Sequence, residues 1–322
     1  MGSYFRAKVH SHVPGWHNDQ MMKSTTPHAE HSNVTKETKD RDYLYIESDS
    51  ALTDLCAQLQ DSPWLAVDTE FERTSTYYPE LCLVQVADSG QVVLVDPLAI
   101  GDLTPLFEVF YNPSITKVFH AARQDLEILY HIRGSIPQPV FDTQIAAGML
   151  GYDSQTGYAN LVKALLGVEL PKSQTRTDWK RRPLSNRQLE YAADDVIYLG
   201  ELYTNLQARL IEDDKLQQFR KECLALDDPQ IYEPDPGTVW KKIKAAKKLQ
   251  GSVLTRLKKL AAWREITARA ENQPRKWILK DQALLDMAQK FPGSRDELSR
   301  IPGLHKRVIQ MYGETLLKIL QG

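Results

Sequence analysis

The apolar positions change their rhythm part-way along this chain. From residue 65 to residue 142 they fall in short runs, at 65–67, 81–87, 92–96, 116–120 and 140–142, each the length of a strand. Asp88-Ser89-Gly90 parts the second run from the third, as a hairpin turn does. Between the runs the spacing lengthens to that of helices, over 48–60 with Leu52, Leu55 and Leu59 on one face, 103–111, 121–131 and 143–151. Helical spacing then dominates to Cys223. Strands first and helices afterwards predict an α/β domain, a mixed sheet flanked by helices with an antiparallel nucleus. A break follows at 227–237, where three prolines, a glycine and several acids crowd eleven residues. Beyond it the pattern is helical throughout, over 239–249, 253–271, 281–290, 294–300 and 304–320, a small all-helical domain. The boundaries predicted are 42–226, 227–237 and 238–322. Residues 1–41 carry no apolar pattern and five of the eight histidines, at wide spacing with nothing to hold them as metal ligands. They are expected to be a disordered leader or tag.

The run Leu65-Ala66-Val67 ends on Asp68-Thr69-Glu70. Side chains alternate along a strand, so Asp68 and Glu70 face the same way. Two carboxylates at the edge of a core repel each other and lose water. Either the strand end dips into solvent or the pair shares a divalent cation, which prefers oxygen ligands. Two further acids occupy distinctive settings. Asp125 lies one turn into the helix after the strand that ends at His120. Asp195 follows Tyr191 by four residues, so the two share a helix face; Ser185 and Gln188 have capping-box spacing and mark where that helix starts. In-line hydrolysis of a phosphodiester calls for an activated water and a stabilised leaving oxygen, a task for two Mg²⁺ or Mn²⁺ ions held by about four carboxylates. Asp68, Glu70, Asp125 and Asp195 fill that requirement, and Tyr191 stands where it could hold the attacking water or help deprotonate it. Other acids are set aside. Asp194 points about 100° away from Asp195 on a helix, Glu72 is expected beyond the strand end, and Asp142 is expected to cap the helix at Thr143.

Charge divides the chain as sharply as hydropathy does. Residues 237–322 hold 19 Lys and Arg against 7 Asp and Glu, a net +12, while residues 1–236 hold 21 against 35, a net −14. An acidic body suits metal ions and a basic tail suits a phosphate backbone. The three cysteines have neither zinc nor disulfide-framework spacing, which places them as buried thiols in a reducing compartment. No apolar run approaches a membrane span and no secretory signal is present, so a cytoplasmic protein, monomeric and not bound to membrane, is expected.

The sets Asp68-Thr69-Glu70, Phe119-His120-Ala121-Ala122-Arg123-Gln124-Asp125 and Tyr191-Ala192-Ala193-Asp194-Asp195 closely resemble the three exonuclease motifs of the DEDD superfamily, tyrosine subclass. Residues 81–87, 172–179 and 182–185 resemble the ribonuclease D family, and Pro274–Asp281 with Ile301–Leu304 resemble an HRDC domain. The likeness covers about 43–322. Where the family's pattern carries two HRDC-like repeats, this sequence shows one. The resemblance implies an RNase H-like fold and 3′→5′ hydrolysis of RNA, with release of nucleoside 5′-monophosphates and tRNA precursors as substrates. It implies one metal on Asp68, Glu70 and Asp195, and a second on Asp68 with Asp125 helping through water, while Tyr191 orients the nucleophile. A DNA 3′→5′ exonuclease and an inactive nucleic-acid-binding scaffold are the competing readings. For substrate contacts, Phe71, Tyr77 and Tyr78 could stack on terminal bases, and His120 could touch the 3′ nucleotide. Lys172, Arg176, Trp179, Lys180, Arg181 and Arg182 form a basic stretch suited to the RNA backbone. Gln85 is as readily structural.

Overall fold

The computed structural model describes residues 42–171 and 177–322. Residues 1–41, expected as a leader, and Lys172 and Arg176, expected at the RNA backbone, lie outside the described residues.

Six strands make one sheet in the order β1-β4-β3-β2-β5-β6. They are β1 (Leu44–Ile46), β2 (Trp64–Glu72), β3 (Glu80–Ala87), β4 (Val92–Val95), β5 (Thr116–Phe119) and β6 (Val140–Asp142). β3 runs antiparallel to β2 and β4; β2–β5, β5–β6 and β1–β4 are parallel pairs, so the sheet is mixed as the pattern predicts. β2 is central, which is why Leu65, Ala66 and Val67 are fully buried. Its parity assigns the layers. Leu65 and Val67 face the core made with α1 (Asp49–Leu59), α2 (Thr104–Phe110) and α3 (Arg123–Arg133). Ala66 faces the opposite core, with α4 (Thr143–Met149), α5 (Tyr158–Leu166), α6 (Asn186–Ile197), α7 (Leu199–Glu212) and α8 (Leu216–Leu224). Asp68 and Glu70 share the parity of Ala66, and so point toward α6.

Two local details seat α7 on β2 and start α6. Gly200 in α7 lies so near Trp64 that an added Cβ would stand 2.2 Å from the indole ring, which leaves room for no larger residue. The capping box expected at Ser185 is present, with Gln188 donating its backbone N–H to the Ser185 hydroxyl and returning its side-chain oxygen to the Ser185 N–H. At the far end of the sheet the fully buried Lys117 donates to the carbonyls of Asn112, Ile115 and Gln138 at 2.9, 2.5 and 2.6 Å, fastening two loops to β5.

The C-terminal helices are α9 (Gly251–Ala270), α10 (Arg275–Ile278), α11 (Asp281–Lys290), α12 (Arg295–Ser299) and α13 (Lys306–Gln321), which enclose a core of their own. The helix expected over 239–249 is instead two 3₁₀ turns, Val239–Lys242 and Lys244–Lys248, parted by Ile243 in extended conformation. The proline-rich segment does not hang free. Tyr232 is buried, stacks on Tyr130 with ring centroids 5.4 Å apart, and donates to the Leu226 carbonyl.

The two domains meet through a buried charge. Glu265 of α9 is 0% exposed and accepts from the Tyr77 hydroxyl at 2.5 Å and from Arg275 Nη2 at 2.7 Å. Arg269 and Arg275 also donate to the Tyr77 hydroxyl, and Asn272 Oδ1 accepts the backbone N–H groups of Tyr77 and Tyr78. A buried carboxylate held by two guanidiniums and a phenol makes a directional joint, because removing one partner leaves a charge unpaired.

Candidate active site

β2 carries its acids farther than the apolar run suggests. The strand continues through Glu72, with a register shift between Glu70 and Phe71 against β3. Such an irregularity bends a strand and re-aims the side chains beside it. Asp68 and Glu70 on β2 and Asp195 on α6 each offer an oxygen within 4.8 Å of the others. Among the described residues no other group of three potential ligands meets.

Asp125 stands beside this group. It sits in the first turn of α3, buried, and accepts the Thr69 hydroxyl at 2.5 Å. The chain reaches that position through a tight turn in which Ala121 takes φ 58°, a left-handed conformation that costs an L-residue about 1–2 kcal/mol. Asp142 holds the turn, accepting the Ala121 and Ala122 N–H groups at 3.1 and 2.9 Å, and it also caps α4 through Gln144 and Ile145. The helix-capping role expected of Asp142 is therefore joined by a second one, holding the turn that leads to Asp125. The role of Thr69 and the second role of Asp142 are what the sequence alone does not reveal here, since both act through contacts between distant segments.

Burial dominates the electrostatics. It drives Asp68 well above the usual carboxylate range, reinforced by the charges of Asp125, Asp195 and Glu70. It takes Glu70 up to about 8, again with help from Asp195 and Asp125. Burial brings Asp125 to about 7 against the opposing Thr69 hydrogen bond, and Asp195 to about 7 against the one from Tyr191. Four acids near one another cannot all ionise without a cation. The donors are all hard oxygens, the set that divalent ions such as Mg²⁺ take, so these residues fit the group that their motif implies. Tyr191, half-buried and hydrogen-bonded to Asp195, has its phenol raised by burial and by the Asp195 and Glu70 charges. It therefore stays protonated near neutral pH.

The residues expected at the substrate are distributed differently. Phe71 is half-buried at the bulge beside Glu70. Tyr77 is 5% exposed in the domain joint, and Tyr78 stacks edge-on with it and with His131. Both ring nitrogens of His120 are engaged, Nδ1 with the Thr143 hydroxyl at 2.9 Å and Nε2 with the Thr156 carbonyl at 3.0 Å, and burial keeps the ring neutral. Trp179 is buried under Tyr191, with ring centroids 6.1 Å apart. Arg182 grips Asp96 in a bidentate pair at 2.6 and 2.7 Å and also binds the Cys82 and Trp179 carbonyls, clamping its loop to β3 and β4. Lys180 pairs with Glu80. Gln85, opposite Asp68 in the β2–β3 register, is fully buried.

Residues 43–211 match the 3′-5′ exonuclease family and residues 253–320 the HRDC domain. The chain belongs to the ribonuclease D family. It is 44% identical over 261 residues to ribonuclease D of Sphingobium indicum, covering 80% of this chain and 67% of that one. With ribonuclease D of Pseudomonas paraeruginosa it shares 38% over 276 residues, covering 86% and 73%. Among solved structures it is similar to Escherichia coli RNase D, described as an exoribonuclease involved in structured RNA processing, at TM-score 0.79 and 38% identity over 87% of this chain and 74% of that one. It is also similar to the catalytic core of RRP6 from Trypanosoma brucei, at TM-score 0.68 and 26% identity over 87% and 79%. The ribonuclease D fold carries with it dependence on a divalent metal. No helix among the described residues is long and apolar enough to cross a membrane.

Proposed function

We propose that this ribonuclease D family member is a 3′→5′ exoribonuclease that removes nucleoside 5′-monophosphates from structured RNA tails, tRNA precursors being the expected substrates. The observation that carries the reading is the buried meeting of Asp68, Glu70 and Asp195, with Asp125 beside them and Tyr191 on Asp195. Asp68, Glu70 and Asp195 would hold one Mg²⁺ or Mn²⁺. Asp68 would share a second with Asp125, whose place outside the group of three suits contact through water. Bound there, the two ions neutralise the charge that builds on the attacking and leaving oxygens.

The chain's own groups supply the rest. Thr69 fixes the rotamer of Asp125, and the Asp142-braced turn fixes its backbone. Tyr191, hydrogen-bonded to Asp195 and with its phenol raised first by burial, is suited to orient the attacking water by hydrogen bonding. Tyr191→Phe should therefore lower kcat about ten- to a hundredfold while leaving KM and the melting temperature close to those of the parent. A loss in KM alone would assign Tyr191 to substrate binding.

The direct test is a 5′-labelled RNA with a free 3′-hydroxyl, incubated with Mg²⁺ or Mn²⁺ beside DNA of the same sequence. Stepwise shortening of the RNA, stopped by EDTA and slower on DNA, is the expected result. Preference for DNA would make the chain a DNA exonuclease, and no shortening of either would make it a binding scaffold.

A further inference from the structure

Gln85 lies on β3, inside the sheet, with β2 on one side and β4 on the other. Its partners in register are Asp68 on β2 and Leu94 on β4. Residues directly opposed on antiparallel strands project to the same face, so the amide stands on the face that carries Asp68 and Glu70. Its neighbours agree. Leu83 and Leu94 pack with Ala192 of α6, which lies three residues before Asp195 and so shares its side of the helix. Gln85 therefore sits under α6 with the carboxylates beside it, and it is 0% exposed.

Neither end of this amide is used. Nε2 and Oε1 are both buried, and neither has a hydrogen-bond partner among the described residues. A core position that called only for volume would be better filled by Leu or Met, because an amide withdrawn from water without a partner costs stability. Such a group points to a partner that it meets in the working state. The acids show the complementary gap. Asp125 accepts the Thr69 hydroxyl and Asp195 is hydrogen-bonded by the Tyr191 side chain. Asp68 meets no side-chain donor among the described residues, although it stands amid the charges of the other three. The Cβ atoms of a directly opposed pair lie about 4.5–5.5 Å apart, a span that a glutamine side chain can bridge.

We propose that Gln85 is the positioning residue of Asp68, donating its Nε2–H to the Asp68 carboxylate when a divalent cation holds that carboxylate ionised. This rests on the metal-dependent exoribonuclease reading and adds to it a determinant of cation affinity. It also gives the amide effects of opposite sign. Without metal the group is a cost to the fold, and with metal it strengthens the site.

The test uses the full chain with Mn²⁺ alone as the probe, titrated by calorimetry, and thermal melts in EDTA. Gln85→Met keeps the volume and removes the amide. It should melt in EDTA at or above the parent temperature, while the Mn²⁺ concentration for half-saturation rises about tenfold or more. Gln85→Leu should shift the Mn²⁺ midpoint in the same direction. KM for 5′-labelled RNA at saturating Mn²⁺ should stay as in the parent. Val86→Ala is the control, since Val86 is buried in the core on the other face of the sheet. It should lower the melting temperature and leave the Mn²⁺ midpoint in place. An unshifted midpoint in the Gln85 variants would make Gln85 a packing residue and overturn the proposal. A lower melting temperature in EDTA for Gln85→Met, an equal midpoint shift in Val86→Ala, or failure of both Gln85 variants to fold would overturn it as well. If the parent bound no Mn²⁺, the metal-dependent reading would fall and the proposal with it.

Discussion

Asp195→Asn should lose RNA hydrolysis by about a thousandfold or more while the protein stays folded, and Asp68→Asn should do the same. The size follows from what the carboxylates are placed to hold. Charge neutralisation at both oxygens of an in-line displacement contributes several kcal/mol to the transition state, and about 4 kcal/mol corresponds to a thousandfold. Asn keeps the shape of Asp but removes the charge that attracts a cation. Glu72→Gln is the informative comparison. Glu72 also lies on β2, but its carboxylate accepts the backbone N–H groups of Arg73 and Thr74, both at 2.9 Å, and it stands outside the group of three. Its variant should hydrolyse within about twofold of the parent. Single-turnover rates on 5′-labelled RNA measure all three. Full activity in either Asp variant would remove that residue from the metal site.

The second expected result concerns stability without metal. Glu70 rises from 4.5 to about 8, and Asp125 and Asp195 from 3.8 to about 7, all chiefly through burial. In the unfolded chain these groups ionise at their ordinary values. Between about pH 4 and pH 8 the native state thus holds protons that the unfolded state has released, so stability falls as pH rises through that window. In EDTA the melting temperature should drop by about 5 °C or more from pH 5 to pH 8.5, with the loss levelling off above the folded-state values. Saturating Mn²⁺ should restore most of it at pH 8, because a ligand that binds only the native state stabilises it by mass action. Asp68→Asn should flatten the metal-free profile, since one repelling charge is gone. Circular dichroism melts across pH, with and without metal, decide the matter; a flat profile in EDTA would show that the acids are better solvated than their burial suggests.

Much of this architecture could be read from residue order alone. The short apolar runs fall on β2 to β6, the Ser185 and Gln188 pair does start α6, and the three acids that meet were each visible as a carboxylate in an apolar setting. What could not be read has a common cause, the dependence on partners far along the chain. Thr69 looks like a spacer between two acids until α3 brings Asp125 to it across 56 positions. Tyr77 looks like a loop aromatic placed to stack on RNA, yet Glu265, 188 positions on, takes its hydroxyl. Arg182 looks like one of several cations on a basic stretch, and Asp96 claims it from 86 positions away. The lysine-rich segment 239–249 has helical composition, but Ile243 turns into the helical core and breaks it in two.

The placement of α6 across β2 also bears on how the chain is made. Asp68 and Glu70 are synthesised early and Asp125 later, but the group of three closes only with Asp195. A growing chain released residue by residue thus cannot bring these three carboxylates together until α6 has emerged. A ribosome, itself largely RNA, therefore does not meet the assembled group of carboxylates before α6 has been made.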